Sequence, residues 1–330
     1  MLTGVVDGHY LRFSVYPDVF TLCAALAVGY WYAVTRIGPA RGGVTSRRQI
    51  TWWYLSVATV FVFAEWPIHP LAEHYSYAIH MLEHEVFVFV AAPMMLLGTP
   101  AWLMRWAVVE RPWYPVVRFF SRPLMAGAVY TVVLLAGHWP ALVDETTHNE
   151  PFHFLLHLVL FLTALAFWMP VINTLPEFSR LSRAGTLLYL FVTSIPATLP
   201  TMMLIFATHP LYPAYAGGPQ YLGWGFKTDQ EIAGAIMGTV VTLEIWLLAA
   251  YQFFAWWAEE QREEEKAPAG SSPAQPAAAQ AVAAAQAVAA AQVVAAAQPA
   301  PGQPEVTALP DGLTWADVEQ QLARVPPPRP

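Results

Sequence analysis

The chain has 330 residues, of which 56% are hydrophobic and 12% are charged, and its mean hydropathy is +0.41. A soluble globular domain carries about twice that share of charged residues, so the composition excludes an ordinary soluble protein and indicates a membrane protein. The single cysteine, Cys23, excludes an internal disulfide and any pair of thiolate ligands. The net charge is −7, and a membrane would divide these charges between its two sides. We expect no nucleic-acid partner.

Seven apolar segments follow an external N-terminal segment, residues 1–17. Each is long enough to cross the roughly 30 Å of hydrocarbon in a bilayer. They cover residues 18–35, 50–66, 77–97, 122–138, 153–172, 184–207 and 231–257. The sequence therefore predicts an all-α, polytopic membrane helix bundle with about seven transmembrane helices, formed by a domain at residues 18–257.

The composition changes after Trp257. Residues 258–330 begin with a charged stretch and continue as Ala/Pro/Gln-rich low-complexity sequence. Its glutamines stand six residues apart, a period that drifts around a helix of 3.6 residues per turn and makes no continuous apolar seam. We predict a cytoplasmic linker, in which residues 314–325 form either one short amphipathic helix or a solvated end.

Arginines concentrate in alternate loops. The first, third and fifth loops hold, in chain order, Arg36, Arg41, Arg47, Arg48, Arg105, Arg111, Arg118, Arg122, Arg180 and Arg183. The second and fourth loops have no lysine or arginine, and the sixth has only Lys227. By the positive-inside rule, the odd loops are predicted to be cytoplasmic. The chain is then a multi-pass plasma-membrane protein with its N-terminus outside the cell and its C-terminus in the cytoplasm.

In this orientation all ten histidines fall on the outer side or in the outer third of the bilayer. They are His9, His69, His74, His80, His84, His138, His148, His153, His157 and His209. Many carboxylates share that side, against only Arg12 and Lys227. The outer vestibule is therefore expected to attract cations.

Two histidine pairs have the spacing of ligands on one helix face. His80 and His84 are four residues apart, as are His153 and His157, which places the Cβ atoms of each pair about 5–6 Å apart. Two such faces opposed in a bundle supply up to four nitrogens to a metal, and His138 ends the intervening helix. The alternative is that these histidines only form hydrogen bonds within the bundle. Histidine ligands alone do not choose between copper and zinc.

Two other functions stay open at this stage. The segment His80-Met-Leu-Glu83-His84 matches the H-x-x-E-H pattern of inverted zinc proteases, in which Glu83 would be the general base of an intramembrane zinc metallohydrolase. A small transporter for metal ions or protons is the other alternative, because Glu244 is an ionisable residue deep within the last apolar segment.

Several short motifs resemble the CtaG family of cytochrome c oxidase assembly proteins, the seven-helix membrane type. In order, they are His80-Met-Leu-Glu-His84, Ala92-Pro93, Leu97-Gly98, Pro100, His138-Trp-Pro140, His153, His157, Trp168-Met-Pro170, Leu211-Tyr-Pro-Ala-Tyr215 and Asp229-Gln230. The resemblance covers about residues 50–255, with the order and spacing of the motifs intact.

The resemblance implies a non-enzymatic role in maturing a haem–copper oxidase, by binding copper and handing it to the copper centres of oxidase subunits in the same membrane. The polar positions that match the family are His80, His84, His138, His153, His157 and Asp229, which are the metal-site residues that it implies. The chain departs from the family at Glu83 and Glu85, where members tend to carry glutamine and an apolar residue. Extra carboxylates harden a site and weaken a strict preference for Cu(I).

Overall fold

The computed structural model describes residues 3–6, 9–13, 15–172, 175–215 and 222–266. The chain divides into two compact units, residues 1–257 and 258–330. Of the second unit the structure describes only the end of the last helix, so the predicted low-complexity linker and the segment at 314–325 lie outside the described residues. A short antiparallel hairpin of β1 (Thr3–Val6) and β2 (His9–Arg12) precedes the helices, with Thr3 paired to Arg12.

Eleven helices follow the hairpin in the described chain, and a π-helical turn, Arg105–Val109, directly continues the fifth of them. In order, they are α1 (Pro17–Ala40), α2 (Arg47–Ala64), α3 (Ile68–His74), α4 (Tyr77–Gly98), α5 (Ala101–Met104), α6 (Tyr114–Phe120), α7 (Pro123–Gly137), α8 (Pro140–Thr146), α9 (Glu150–Ile172), α10 (Arg183–Phe206) and α11 (Phe226–Lys266). One turn of 3₁₀-helix, Pro213–Tyr215, lies between α10 and α11.

The predicted helical membrane bundle is confirmed, and the hairpin is an addition to it. Five helices (α1, α4, α9, α10 and α11) are each long and apolar enough to cross a membrane. Two bent pairs, α2 with α3 and α6 with α7, raise the number to as many as seven. Each of the seven predicted segments coincides with one of these helices or pairs, whereas the orientation with the N-terminus outside stays a prediction.

Helix α4 is the central helix of the bundle. Half of its apolar stretch is buried, against a third or less for the other four long helices, and it packs against α2, α3 and α9. At its C-terminal end, Gly98 lies so close to α2 that an added Cβ would clash with the backbone nitrogen of Trp53. The missing side chain is therefore what permits this crossing.

A π-helical turn, Phe87–Ala91, interrupts α4 just after its histidine pair. In this register the carbonyl of Val88 would accept from the nitrogen of residue 93, but Pro93 has no N–H. The indole Nε1 of Trp168 in α9 donates to that carbonyl instead, at 2.8 Å. The turn is thus stabilised from outside its own helix. In hydrocarbon every backbone carbonyl needs a hydrogen-bond donor, and the indole supplies the one that Pro93 lacks.

Ion pairs connect the arginine-bearing loops at one end of the bundle. Arg41 pairs with Glu110 at 2.9 Å, and Arg105 pairs with Glu177 at 2.7 Å. The hydrogen bond from Arg105 lowers the pKa of the Glu177 carboxyl. The first, third and fifth loops therefore meet at one end, called here the arginine end.

The opposite end, called here the histidine end, is closed by a carboxylate from the last membrane helix. Asp229 in α11 accepts hydrogen bonds from the Ser76 hydroxyl and from the backbone N–H groups of Tyr77 and Ala78. A carboxylate at a helix N-terminus satisfies free N–H groups and complements the helix dipole. This contact, called here the Asp229 latch, fixes the first turn of α4, the helix that carries His80 and His84.

Candidate metal centre

Three helices bring imidazoles together at the histidine end. Helix α3 supplies His69 and Glu73, α4 supplies His80, Glu83 and His84, and α9 supplies His153 and His157. These seven residues are called here the imidazole cluster. All of them are buried or half-buried, with five at 6% exposure or less.

The two predicted histidine pairs face each other within the cluster. The Nε2 atoms of His84 and His157 are 2.9 Å apart, and those of His153 and His157 are 3.2 Å apart. One ligand atom from each of His80, His84 and His157 falls within 4.8 Å of the other two. Metal–nitrogen bonds of 2.0–2.1 Å in tetrahedral geometry put ligand nitrogens about 3.3 Å apart. The spacing therefore fits a single ion held by several imidazoles.

Two carboxylates lie behind the imidazole rings. The Nδ1 of His69 is 2.9 Å from Glu83 Oε1, and the Nδ1 of His157 is 3.7 Å from the same oxygen. The Nδ1 of His153 is 3.3 Å from Glu73 Oε1. A carboxylate that accepts from Nδ1–H sets the tautomer of the ring and leaves Nε2 free for a metal. Glu73 and Glu83 thus have the position of orienting residues.

Two cavities reach the cluster. One of about 180 Å³ is lined by His69, His153 and His157 together with the acidic Asp18 and Glu150. The other, of about 40 Å³, is lined by both histidine pairs, His80 with His84 and His153 with His157, among other residues. These cavities therefore leave space for a cation beside the histidines of the cluster.

Two of the six predicted metal-site residues stand apart from the imidazole cluster. Neither His138 nor Asp229 belongs to any group of three candidate ligands in the described chain. Asp229 forms the latch and also accepts from Trp224 Nε1 at 3.0 Å. His138 directs its Nε2 to the Sδ of Met81 at 3.3 Å. The structure thus brings together His80, His84, His153 and His157 from the predicted set.

Prediction from the sequence missed His69 and Glu73 as parts of this centre, whereas it placed Glu83 there as a possible general base and as a carboxylate that hardens the site. His69 and Glu73 have the same four-residue spacing as the histidine pairs. A search for this spacing among all possible ligand residues, and not among histidines alone, would have found them. The exposed His74, His148 and His209 lie outside the cluster, although the sequence places them on the same side. A predicted place on the same side of the membrane therefore does not by itself bring a histidine into the cluster.

The described motif residues near the chain's last loop connect the helices at this end. Tyr77 packs against Tyr212 and Tyr215, with ring centroids 4.4 and 5.2 Å apart. The Tyr212 hydroxyl donates to the carbonyl of His138 at 3.0 Å. Gln230 accepts from Leu211 N and donates to the carbonyl of Leu204. The matching motif residues therefore position helices and loops around the cluster.

The family model for the cytochrome c oxidase caa3 assembly factor (Caa3_CtaG) matches residues 28–259, more than two thirds of the chain. The chain belongs to this family. This Caa3_CtaG protein is an assembly factor for cytochrome c oxidase, and the resemblance seen in its motifs is confirmed. Comparison with curated proteins and with solved structures gave no match. All seven residues of the imidazole cluster lie within the segment that matches the Caa3_CtaG model.

Proposed function

We propose that this assembly factor binds copper at the imidazole cluster and delivers it to a copper centre of cytochrome c oxidase. The observation that carries the proposal is the meeting of two helical histidine pairs, with Nε2 atoms 2.9 and 3.2 Å apart across His84, His157 and His153. Imidazole suits copper and zinc alike. The choice of copper rests on the role of the family in assembling an oxidase that contains copper.

The ligand set suits an ion that is bound and then released. The only cysteine, Cys23, is buried in an apolar cluster with Val19, Val57 and Phe87. A closed cage of thiolates is the arrangement of permanent structural metal sites. Neutral imidazoles with an adjacent cavity hold an ion without enclosing it, as a donor of metal requires.

The site lies at the end of the bundle that the positive-inside rule assigns to the outer face. The arginine loops gather at the other end, where ion pairs join them. Three acidic residues, Asp18, Glu73 and Glu150, stand among the mainly apolar side chains that line the larger cavity beside His69 and His153, and carboxylates in such a position attract cations. We propose that copper enters and leaves on this face, where the partner is an oxidase subunit in the same membrane.

The metallohydrolase alternative depends on Glu83 acting as a general base. Such a base must reach a water molecule on the metal. Glu83 has no exposed surface, and its Oε1 accepts from His69 Nδ1 behind the ligand nitrogens. This contact favours an orienting role for Glu83 over a basic one.

The transporter alternative is supported by two other acids. Glu85 in α4 and Glu244 in α11 each have a buried carboxyl oxygen that lacks a hydrogen-bond partner in the described chain. Ionisable groups inside a bundle often mark a path for ions or protons. Copper uptake into proteoliposomes that is lost in Glu244→Gln would support transport, and absence of uptake by the native protein would reject it.

The proposed function is tested by removing one ligand from each facing pair. We expect His84→Ala and His157→Ala each to lose bound copper and, in cells, cytochrome c oxidase activity, because each change leaves fewer nitrogens for the ion. The matched controls are His148→Ala and His209→Ala, whose side chains are exposed at the same end. Copper per chain is measured by mass spectrometry after purification, and oxidase activity is measured in membranes at equal protein level.

Two outcomes would contradict the proposal. Native protein that carries no copper after loading with Cu(I) or Cu(II) would reject metal binding at the cluster. Variants that lose copper while oxidase activity stays at the native level would reject delivery.

A further inference from the structure

His138 is held in one tautomer by its own helix. Its Nδ1 lies 2.7 Å from the carbonyl oxygen of Leu134, one turn earlier in the chain. A carbonyl can only accept, so Nδ1 carries the hydrogen and donates it. In a neutral imidazole the other nitrogen, Nε2, then has a lone pair and no hydrogen.

That lone pair points at a second electron-pair donor. Nε2 is 3.3 Å from the thioether sulfur of Met81, and both residues are buried, at 5% and 1% exposure. Without a hydrogen on Nε2 this contact is not a hydrogen bond. An imidazolium would supply one, but the described structure gives His138 no carboxylate contact, and an unpaired buried charge is costly.

A cation bound to both atoms, to one side of the line that joins them, would use both lone pairs. The separation of 3.3 Å matches that of two ligands on one metal ion with bonds of about 2.0–2.3 Å. Imidazole and thioether together form a soft pair, which prefers Cu(I) to zinc and to hard cations. Met81 follows His80 directly, and His138 lines the same cavity of about 40 Å³ as His80 and His84.

We propose that His138 and Met81 form a second station for copper, selective for Cu(I), next to the imidazole cluster. This inference rests on the proposed copper-binding function and adds an oxidation state and a second binding position to it. An ion leaving His80 and His84 reaches the station through their shared cavity. The station explains why His138, which lies outside the cluster, nevertheless has an aligned and unprotonated nitrogen.

The test is X-ray absorption of the full-length protein loaded with two equivalents of Cu(I). We expect a sulfur neighbour near the ~2.3 Å typical of a metal–sulfur bond in the native protein and its loss in Met81→Leu. Leucine conserves the volume of methionine, so the core should tolerate it. Met169→Leu is the matched control, because Met169 is also buried but packs with Leu175 and Phe178 at the arginine end.

Affinity gives a second readout. Competition with a Cu(I) chelator should show that Met81→Leu weakens the binding of one equivalent by at least about tenfold, the lower range recorded when only a supporting residue of a metal site is lost. The other equivalent should keep its native affinity.

The outcomes separate the two proposals. Native protein that binds no copper overturns the proposed function. Native protein that binds copper with nitrogen and oxygen neighbours only, unchanged in Met81→Leu, overturns the station and leaves the imidazole cluster in place. A sulfur signal that survives in Met81→Leu also overturns the station, whether or not Met169→Leu removes it.

Discussion

The role of a single residue in this centre follows from which of its atoms contacts an imidazole. Glu83 has its Oε1 within 2.9 Å of His69 Nδ1 and 3.7 Å of His157 Nδ1, while its Oε2 has no partner in the described chain. The H-x-x-E-H pattern treats this glutamate as a base. Its contacts instead make it a shared support for two rings, and supporting carboxylates fix ring orientation and raise ligand basicity.

Glu83→Gln separates these two roles. If Glu83 orients His69 and His157, the neutral amide should lower copper affinity about 10–100-fold, because one oxygen and no charge remain behind the rings. If Glu83 is a general base, the variant should keep its metal and lose about 10²–10⁴-fold in rate. Copper titration and oxidase activity at equal expression distinguish the outcomes. Asp144→Asn, an exposed acid at the same end, should leave both measurements unchanged.

At the scale of elements, helix α4 depends on side chains of neighbouring helices to donate hydrogen bonds to two of its backbone carbonyls. Its π-helical turn has Val88 capped by Trp168, and the Ser56 hydroxyl of α2 donates to the carbonyl of Ala91 at 2.7 Å. π-Helical turns often occur at functional sites. Here the turn follows the histidine pair and keeps the rest of α4 packed between α2 and α9.

Trp168→Phe tests this support. The phenyl ring keeps the apolar packing but cannot donate, so Val88 O is left unsatisfied in a buried site, a change that costs about 1–3 kcal/mol. We expect a lower unfolding temperature of the purified protein in detergent. The control is Trp246→Phe, because Trp246 is 71% exposed on α11 and should alter stability little. Equal unfolding temperatures for the native protein and Trp168→Phe would contradict the role of the indole.

Membrane helices could be predicted from this sequence because their length and apolarity are local properties. The predicted segment 77–97, for example, is the helix Tyr77–Gly98. The pairs His80/His84 and His153/His157 were predictable for the same reason, since each lies on one helix. The contacts of Met81 with His138 and of Asp229 with Ser76 join residues 57 and 153 positions apart. Such contacts depend on helix packing, which no local pattern encodes.

At the scale of the whole molecule, the arginine-rich loops and the imidazole cluster lie at opposite ends of the bundle. The arginine end joins three loops by Arg41–Glu110 and Arg105–Glu177, and the imidazole cluster lies at the other end. Exposed pairs of this kind add little to stability because solvent screens them, so they do not hold the bundle together. Their loops matter more for orientation, because positive loops stay on the cytoplasmic side.

Reporter fusions test the orientation of the whole chain. Fusions after residues 44, 110 and 180 should be active in the cytoplasm, and fusions after 72 and 145 should be active outside, because the arginines lie in the odd loops. An alkaline-phosphatase and fluorescent-protein pair reports both sides. The reverse pattern would place the imidazole cluster on the cytoplasmic face and contradict delivery from outside.

The Asp229 latch has a consequence for the order in which the protein matures. Synthesis runs from the N-terminus, so all seven residues of the imidazole cluster, 69 to 157, are made before Asp229 leaves the ribosome. Until α11 enters the membrane, the N–H groups of Tyr77 and Ala78 lack their carboxylate, and the first turn of α4 is free to fray. Newly made chains should therefore retain copper only after α11 has inserted, which chains stalled on either side of that event would show. Asp229→Asn should delay or weaken this step, since an amide presents one oxygen where the carboxylate accepts from four donors.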